Sequence, residues 1–173
     1  MANNLIRAVA FAAEKHRDQR RKDADASPYI NHPIALANVL ANEGDIANED
    51  VLIAALLHDT IEDTQTSEEE LKKEFGSKIA SIVIEVTDDK SLPKAERKLQ
   101  QIEHASHSSI EAKLVKLADK ICNLRDMLCS PPKDWPLERR QEYFAWALAV
   151  VAGLRGTNSK LEKIFDDLMA KAP

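Results

Sequence analysis

The sequence predicts an all-α fold, and three observations carry that prediction. Ala, Leu, Glu and Lys abound, whereas the 173 residues include only four glycines and 5% aromatics, a balance that favours helices. Apolar residues recur at three- and four-residue spacing along most of the chain. Short clusters of Pro, Gly, Ser and Asp separate those periodic stretches, and no segment offers itself as the partner of a strand.

Taken in order, Leu5, Val9, Ala12 and Ala13 define the inner face of a first helix, after which "HRDQRRK" turns basic. "DADASPYINHP" reads as a loop. Pro33 suits the first turn of a second helix, with His32 as its expected cap. Ile34, Leu36, Ala37 and Leu40 give that helix its apolar residues, and Gly44 marks its end. A third helix runs from Asp50 to about His58. In "TSEEELKKEFG", Ser67 and Glu70 have the spacing of a capping box and Gly76 that of a stop. Ser77 to Val86 is rich in β-branched residues but has no strand to pair with, so it is assigned to a helix. A helix from about Pro93 to Ala105 is expected to turn Arg97, Lys98, Gln100 and Gln101 to water. "SIEAKLVKLADKICNLRDML" forms a long amphipathic helix that starts after Ser108 or Ser109. "SPPKDWP" breaks the chain before two last helices, "LERRQEYFAWALAVVAGLRG" and "NSKLEKIFDDLMAK".

Composition excludes several classes. Apolar residues at 44% and charged residues at 31% fit an ordinary soluble globule, and the length fits one domain over residues 1–173. No repeat or linker divides it. The N-terminus lacks a basic region before its apolar part and has no long apolar run, so it reads as neither a signal peptide nor a membrane span. Cys122 and Cys129 form no CxxC pair, which argues against a disulfide framework or a cysteine zinc site and suits a reducing cytoplasm. A net charge of -5 argues against general nucleic-acid binding, yet leaves room for a small anionic ligand on a local basic cluster.

The stretch "ALLHDTIEDT" concentrates His58, Asp59, Glu62 and Asp63 directly after an apolar run. On an unbroken helix at roughly 100° per residue these four share one arc, opposite Ala54, Leu57 and Ile61. Such a face is either solvated or holds a cation that relieves the repulsion among its acids. His32, fixed between a tight loop and Pro33, is either a capping and packing residue or a ligand. In "KLVKLADKICNLRDM", Asp119, Asn123 and Asp126 lie opposite an apolar stripe of Leu114, Leu117, Ala118, Ile121, Leu124 and Leu128. They face either water or a cleft.

These residues carry a resemblance. His32, then the adjacent His58 and Asp59, then the distant Asp119 resemble the H…HD…D pattern of the HD-domain metal phosphohydrolases. The blocks "HRDQRRKDADASPYINHPI", "ALLHDTIEDT", "VTDDKSLPKAERK" and "KLVKLADKICNLRDM" look like the hydrolase domain of RelA/SpoT proteins, and the length is similar to that of the small alarmone hydrolases, including the metazoan SpoT homologues. The resemblance spans nearly the whole chain and implies an HD-type helical bundle. It implies that His32, His58, Asp59 and Asp119 hold one Mn²⁺ ion, a mixed N/O set that suits first-row divalent ions. It implies attack on the 3′-pyrophosphate of ppGpp or pppGpp, with Glu62 and Asp63 as the catalytic acidic pair. Their other reading is charge balance around His58.

For the substrate, the resemblance places Arg21 and Lys22 near the nucleotide, Arg21 stacking on guanine and Lys22 neutralising phosphate. Asn123 matches a position beside the ribose or phosphate. Trp135, Arg139 and Tyr143 are expected at the far wall. Arg139 and Tyr143 lie four apart on one helix face, where the alternative is a surface ion pair and a half-buried core aromatic. Two other functions fit the same residues: a nucleotide phosphatase acting on a substrate such as the 2′-phosphate of NADPH, and a non-catalytic nucleotide-sensing module.

Overall fold

A computed structural model describes residues 2–23 and 25–173. The helices are α1 (Ala2–Lys15), α2 (Asn31–Asn38, continued by a π-helical turn Val39–Glu43), α3 (Glu49–Leu57), α4 (Thr60–Asp63), α5 (Glu68–Phe75), α6 (Ser77–Val86), α7 (Lys94–Ala105), α8 (Ile110–Cys129), α9 (Leu137–Ala152) and α10 (Ser159–Met169). Among the described residues the one extended pairing is an isolated bridge between Arg20 and Pro28. The all-α expectation therefore holds, including the β-branched segment that became α6.

Local chemistry explains the boundaries. Asn48, Ser67, Ser109 and Asn158 each accept a backbone N–H of the first turn that follows, at α3, α5, α8 and α10. The capping box at α5 is only half formed, because Glu70 turns away to bind Lys15 at 2.8 Å. Gly76, with φ of 89°, takes the left-handed conformation that lets α6 start directly after α5. Helix α2 begins earlier than the proline implied. Tyr29 accepts the His32 N–H, so His32 and Pro33 are already helical and His32 is not the cap. Proline is tolerated there because first-turn N–H groups have no partner within the helix.

Two helices form the centre. Helix α3 buries Val51, Ile53, Ala54, Ala55, Leu56 and Leu57, so it is apolar nearly all round and contacts α1, α2, α6 and α8. Helix α8 buries Leu114, Leu117, Ala118, Ile121 and Leu124, as its stripe predicted, against α2, α3, α6, α9 and α10. Helices α7 and α9 pack together at one side, and they do so closely. A Cβ on Gly153 would lie 2.7 Å from the Ala105 Cβ, so a larger residue would push the pair apart. Helix α7 is rotated from its expected orientation. Leu99 is 53% exposed, while Arg97, Lys98 and Gln101 are half-buried and face a cleft. The segment has too few apolar residues to set its own face, and the Trp146 indole holds it by donating to the Lys98 carbonyl at 3.0 Å.

Candidate active site

The sharpest departure from a regular helix falls inside "ALLHDTIEDT". Helix α3 stops at Leu57, and Asp59 sits at φ -100° and ψ 1°, outside the helical basin. Thr60, fully buried, donates its hydroxyl to the Leu57 carbonyl at 2.7 Å and so satisfies a group that the break orphans. The unbroken-helix arc is thereby replaced by a tighter arrangement. The His58 Nε2 lies 2.8 Å from Asp59 Oδ2, yet out of line for a hydrogen bond. His58 Nδ1 meets the Ala55 carbonyl at 2.8 Å, which assigns the proton to Nδ1 and turns the Nε2 lone pair inward.

Helices α2 and α8 complete the group. His32 Nε2 lies 3.2 Å from Asp119 Oδ1, and the His32 and His58 rings are 5.3 Å apart. Ligand atoms of His32, His58 and Asp59 all fall within 4.8 Å of one another. Both imidazoles are at most 5% exposed. Asn123 donates to Asp119 Oδ1 at 2.7 Å and Lys120 to Oδ2 at 3.0 Å. The Tyr29 hydroxyl donates to Asp59 Oδ2. Burial favours neutral carboxyls, but Lys120 and the two histidines outweigh it and hold Asp119 well below the usual range. Burial likewise opposes charge on His58, and the Asp59 and Asp119 carboxylates overcome it, lifting His58 to about 9. Two buried imidazoles and two carboxylates, with ligand atoms this close together, have the donor chemistry of a divalent-cation site.

Glu62 and Asp63 stand next to this centre in unlike surroundings. Glu62 accepts the Asp88 N–H at 3.0 Å, and burial together with Asp59, Asp88 and Asp63 raises its carboxyl to about 7. Asp63 is more open and accepts from the Lys90 ammonium. Its carbonyl takes a 2.6 Å bond from Gln19, which itself bonds His16 Nδ1 at 2.8 Å. The buried His16 ring stacks at 4.7 Å on Tyr29. That chain ties the loop after α1 to α4.

The same loop presents Arg21, whose guanidinium lies 5.7 Å from the Tyr29 ring centre. It donates to Asp126 at 2.5 Å and to Asn123 at 3.2 Å. Across the cleft, Trp135, Tyr143 and Trp146 form an aromatic row with ring centres 6.1 and 5.4 Å apart. Arg139 lies 4.1 Å over Trp135. It therefore stacks on an aromatic face beside Tyr143.

One cleft of about 470 Å³ is lined by all four expected ligands, both acids, and Arg21, Lys22, Asn123, Trp135, Arg139 and Tyr143. The structure thus brings together every side chain expected to bind metal or substrate or to move a proton. It also adds some that were passed over. Tyr29 lay in a segment read only as loop. Arg97 and Lys98 were taken as solvated, and Lys94 was not singled out. Lys116 and Lys120 are spaced with Asp119 and Asn123 as i, i+3, i+4 and i+7, which places all four along one edge of α8, a usable signal. Trp146 sits one turn beyond Glu142 and Tyr143 on the same face of α9.

The HD domain family matches residues 8–159. The guanosine-3′,5′-bis(diphosphate) 3′-pyrophosphohydrolase MESH1 of Danio rerio is 58% identical over 95% of this chain and 91% of its own. The Homo sapiens protein of that name is 55% identical over 96% and 93%. A solved structure, described as a metazoan ortholog of SpoT that hydrolyses ppGpp and plays a role in starvation responses, superposes with a TM-score of 0.95 at 50% identity, covering 97% of this chain and 94% of the other. With its H…HD…D side chains gathered in one cleft, the chain belongs to the HD-domain family, among the metazoan SpoT homologues.

Proposed function

We propose that the protein hydrolyses guanosine 3′,5′-bis(diphosphate) and its 5′-triphosphate counterpart, releasing pyrophosphate and GDP or GTP. One observation carries this reading: four ligand-type side chains from α2, the α3–α4 break and α8 meet at one end of a cleft whose other wall is basic and aromatic. A nucleotide that bears phosphates at both ends matches that polarity. The Danio rerio and Homo sapiens relatives that bear the pyrophosphohydrolase name are 58% and 55% identical to this chain.

In this reading His32, His58, Asp59 and Asp119 would hold one Mn²⁺ ion, and the chemistry it would supply when bound is Lewis acidity and a more acidic water. Water adds to the phosphorus attached to the ribose 3′-oxygen, and the bond between them breaks. The leaving 3′-oxygen needs a proton and the attacking water must lose one. Glu62, balanced near neutrality, is suited to carry a proton between them. Asp63, which accepts from the Lys90 ammonium, orients the water. Arg21, already fixed by Asn123 and Asp126, offers a planar face for guanine, and Lys22, Arg139 and Trp135 take the far phosphates and the base. Residues 1–173 would act as one catalytic unit, and the two free thiols suit a reducing cytoplasm.

Chelated protein assayed on ppGpp with and without added Mn²⁺ tests this. Pyrophosphate release that returns with the ion is expected. Release of phosphate from NADPH, with none from ppGpp, would shift the reading to a nucleotide phosphatase. Binding of ppGpp with no turnover of either would favour a sensing module.

A further inference from the structure

Two lysines one turn apart on α8 reach the cleft beside the metal-ligand group, and their surroundings differ. Lys120 is 3% exposed and its ammonium is well partnered. It donates to Asp119 Oδ2 at 3.0 Å and to Gln101 Oε1 at 3.2 Å, and it lies 4.3 Å over the Trp146 ring. Of the three N–H groups of an ammonium, two are hydrogen-bonded, and the Trp146 ring covers the same charge. Lys120 therefore supports Asp119 and has little left to offer a ligand.

Lys116 has the opposite character. Its side chain is 16% exposed and lines the cleft. Among the described residues its nearest carboxylate is Asp88, at 3.8 Å, beyond hydrogen-bond reach. Gln101 already donates to the other oxygen of Asp88 at 2.6 Å. The ammonium is thus largely removed from water and short of partners, with Asp119 and Glu62 close enough to influence it. A desolvated ammonium without hydrogen-bond acceptors is costly to maintain, and an anionic oxygen would relieve it.

Lys116 is also separate from the outer basic group. Lys94 feels Arg139, Lys98, Lys22 and Arg97 as its charged neighbours, whereas Lys116 feels Lys120, Asp88, Asp119 and Glu62. The outer cations thus lie among one another, whereas Lys116 stands among Lys120 and carboxylates at the ligand end of the cleft.

We propose that Lys116 binds a phosphoryl oxygen of the diphosphate group that is cleaved, as a second cation beside the metal. The inference rests on the pyrophosphohydrolase reading for the identity of that group. Binding at this point neutralises charge on the transferred phosphoryl group and holds it against the ion, and lysine acts there as a point charge. The outer cations then serve the phosphates at the far end of the nucleotide.

The test uses the Mn²⁺-loaded protein and its Lys116→Met, Lys116→Gln and Lys116→Arg variants. Inorganic pyrophosphate is titrated as the probe, GDP is titrated in parallel, and hydrolysis of ppGpp is followed separately. Lys116→Met should retain its Mn²⁺ and bind pyrophosphate at least about tenfold more weakly, with GDP affinity changed less than about threefold. Its kcat/KM should fall on the order of 10²-fold, the loss seen when one preorganised donor to a developing anion is removed. Lys116→Arg should recover part of that loss. Lys116→Gln repeats the measurement with a neutral side chain that keeps a polar end, in case the methionine variant folds poorly. Pyrophosphate affinity within threefold of the parent in the neutral variants overturns the proposal. So does a changed pH profile with unchanged pyrophosphate affinity, which would mean that Lys116 serves only Asp88 and Glu62. A parent protein that binds pyrophosphate through Lys116 but leaves ppGpp intact would instead overturn the substrate reading and leave the subsite standing.

Discussion

The His–Asp wall of the cleft keeps its polar groups buried, while the facing basic wall leaves most of its own in solvent. On the first wall, Asp119 is bonded by His32, Asn123 and Lys120, and His58 by Ala55. Each side chain is held by a neighbour that is itself held, so geometry is set by hydrogen bonds in a low-dielectric setting. On the second wall, Lys22, Lys94 and Arg139 are exposed, and their positions depend on stacking and on mutual repulsion. The difference suggests a division of work. Under the proposed function the buried wall would carry a position-sensitive reaction, and the open wall would collect an anion in whatever pose brings it within range. Damage to the first should be nearly all-or-none, and damage to the second graded.

The largest effect should come from Asp119→Ala. It removes a ligand and leaves Lys120 as an unpaired buried cation, which costs about 3 kcal/mol in folding. Metal content should drop with activity, and kcat/KM should fall at least about 10³-fold. Elemental analysis beside a denaturant melt checks both, and full metal occupancy would contradict the ligand assignment. His58→Ala should behave alike for the metal.

Glu62→Gln comes next. It should keep the ion and lose about 10² to 10³-fold in kcat. Loss of the metal in this variant would move Glu62 from proton transfer to support of the ligands. The open wall should answer differently. Arg139→Ala should raise KM about tenfold, leave kcat within about twofold and leave the metal in place, since one exposed stacked cation is worth about 1 kcal/mol. A kcat effect as large as that of Glu62→Gln would erase the distinction between the walls.

Glu62 also predicts a pH effect on stability in the chelated protein. Its folded-state carboxyl, raised from 4.5 to about 7, binds more protons than the unfolded chain between those values. Stability from this group is therefore present at low pH and declines as pH rises from about 4.5 to 7. Glu62→Gln should match the parent near pH 4 and exceed it by on the order of 1 kcal/mol at pH 8, allowing for partial solvent screening. Equal stabilities at pH 8 would show that Glu62 ionises without penalty. The smallest effect is that of salt. Raising ionic strength to about 0.3 M should increase KM a few-fold through the exposed wall and leave metal occupancy unchanged.

Much of the buried wall was legible in the sequence. His32, His58, Asp59 and Asp119 stood out because the chain has only five histidines and because HDxxED with its flanking blocks resembles the RelA/SpoT hydrolase domain. Caps at Ser67 and Ser109 were readable from local hydrogen-bond chemistry. The basic wall was less legible. Arg97 and Lys98 look like any solvated helix face, and their role follows from the rotation of α7 on α9. Lys120 was missed because a lysine beside an apolar stripe is ordinarily expected to reach water. The cap assigned to His32 failed for a local reason, since the Tyr29 turn starts α2 before the proline.

By itself the sequence determined the helices, most of their ends and the chemical set available to the site, because periodicity, capping and side-chain donors act over a few residues. Only the tertiary structure decided that the helix breaks at Asp59, that α7 turns its cations inward, and that Lys120 is well partnered while Lys116 is not. Those outcomes depend on which distant groups share a low-dielectric space, and that is settled when α2, α3, α7, α8 and α9 pack.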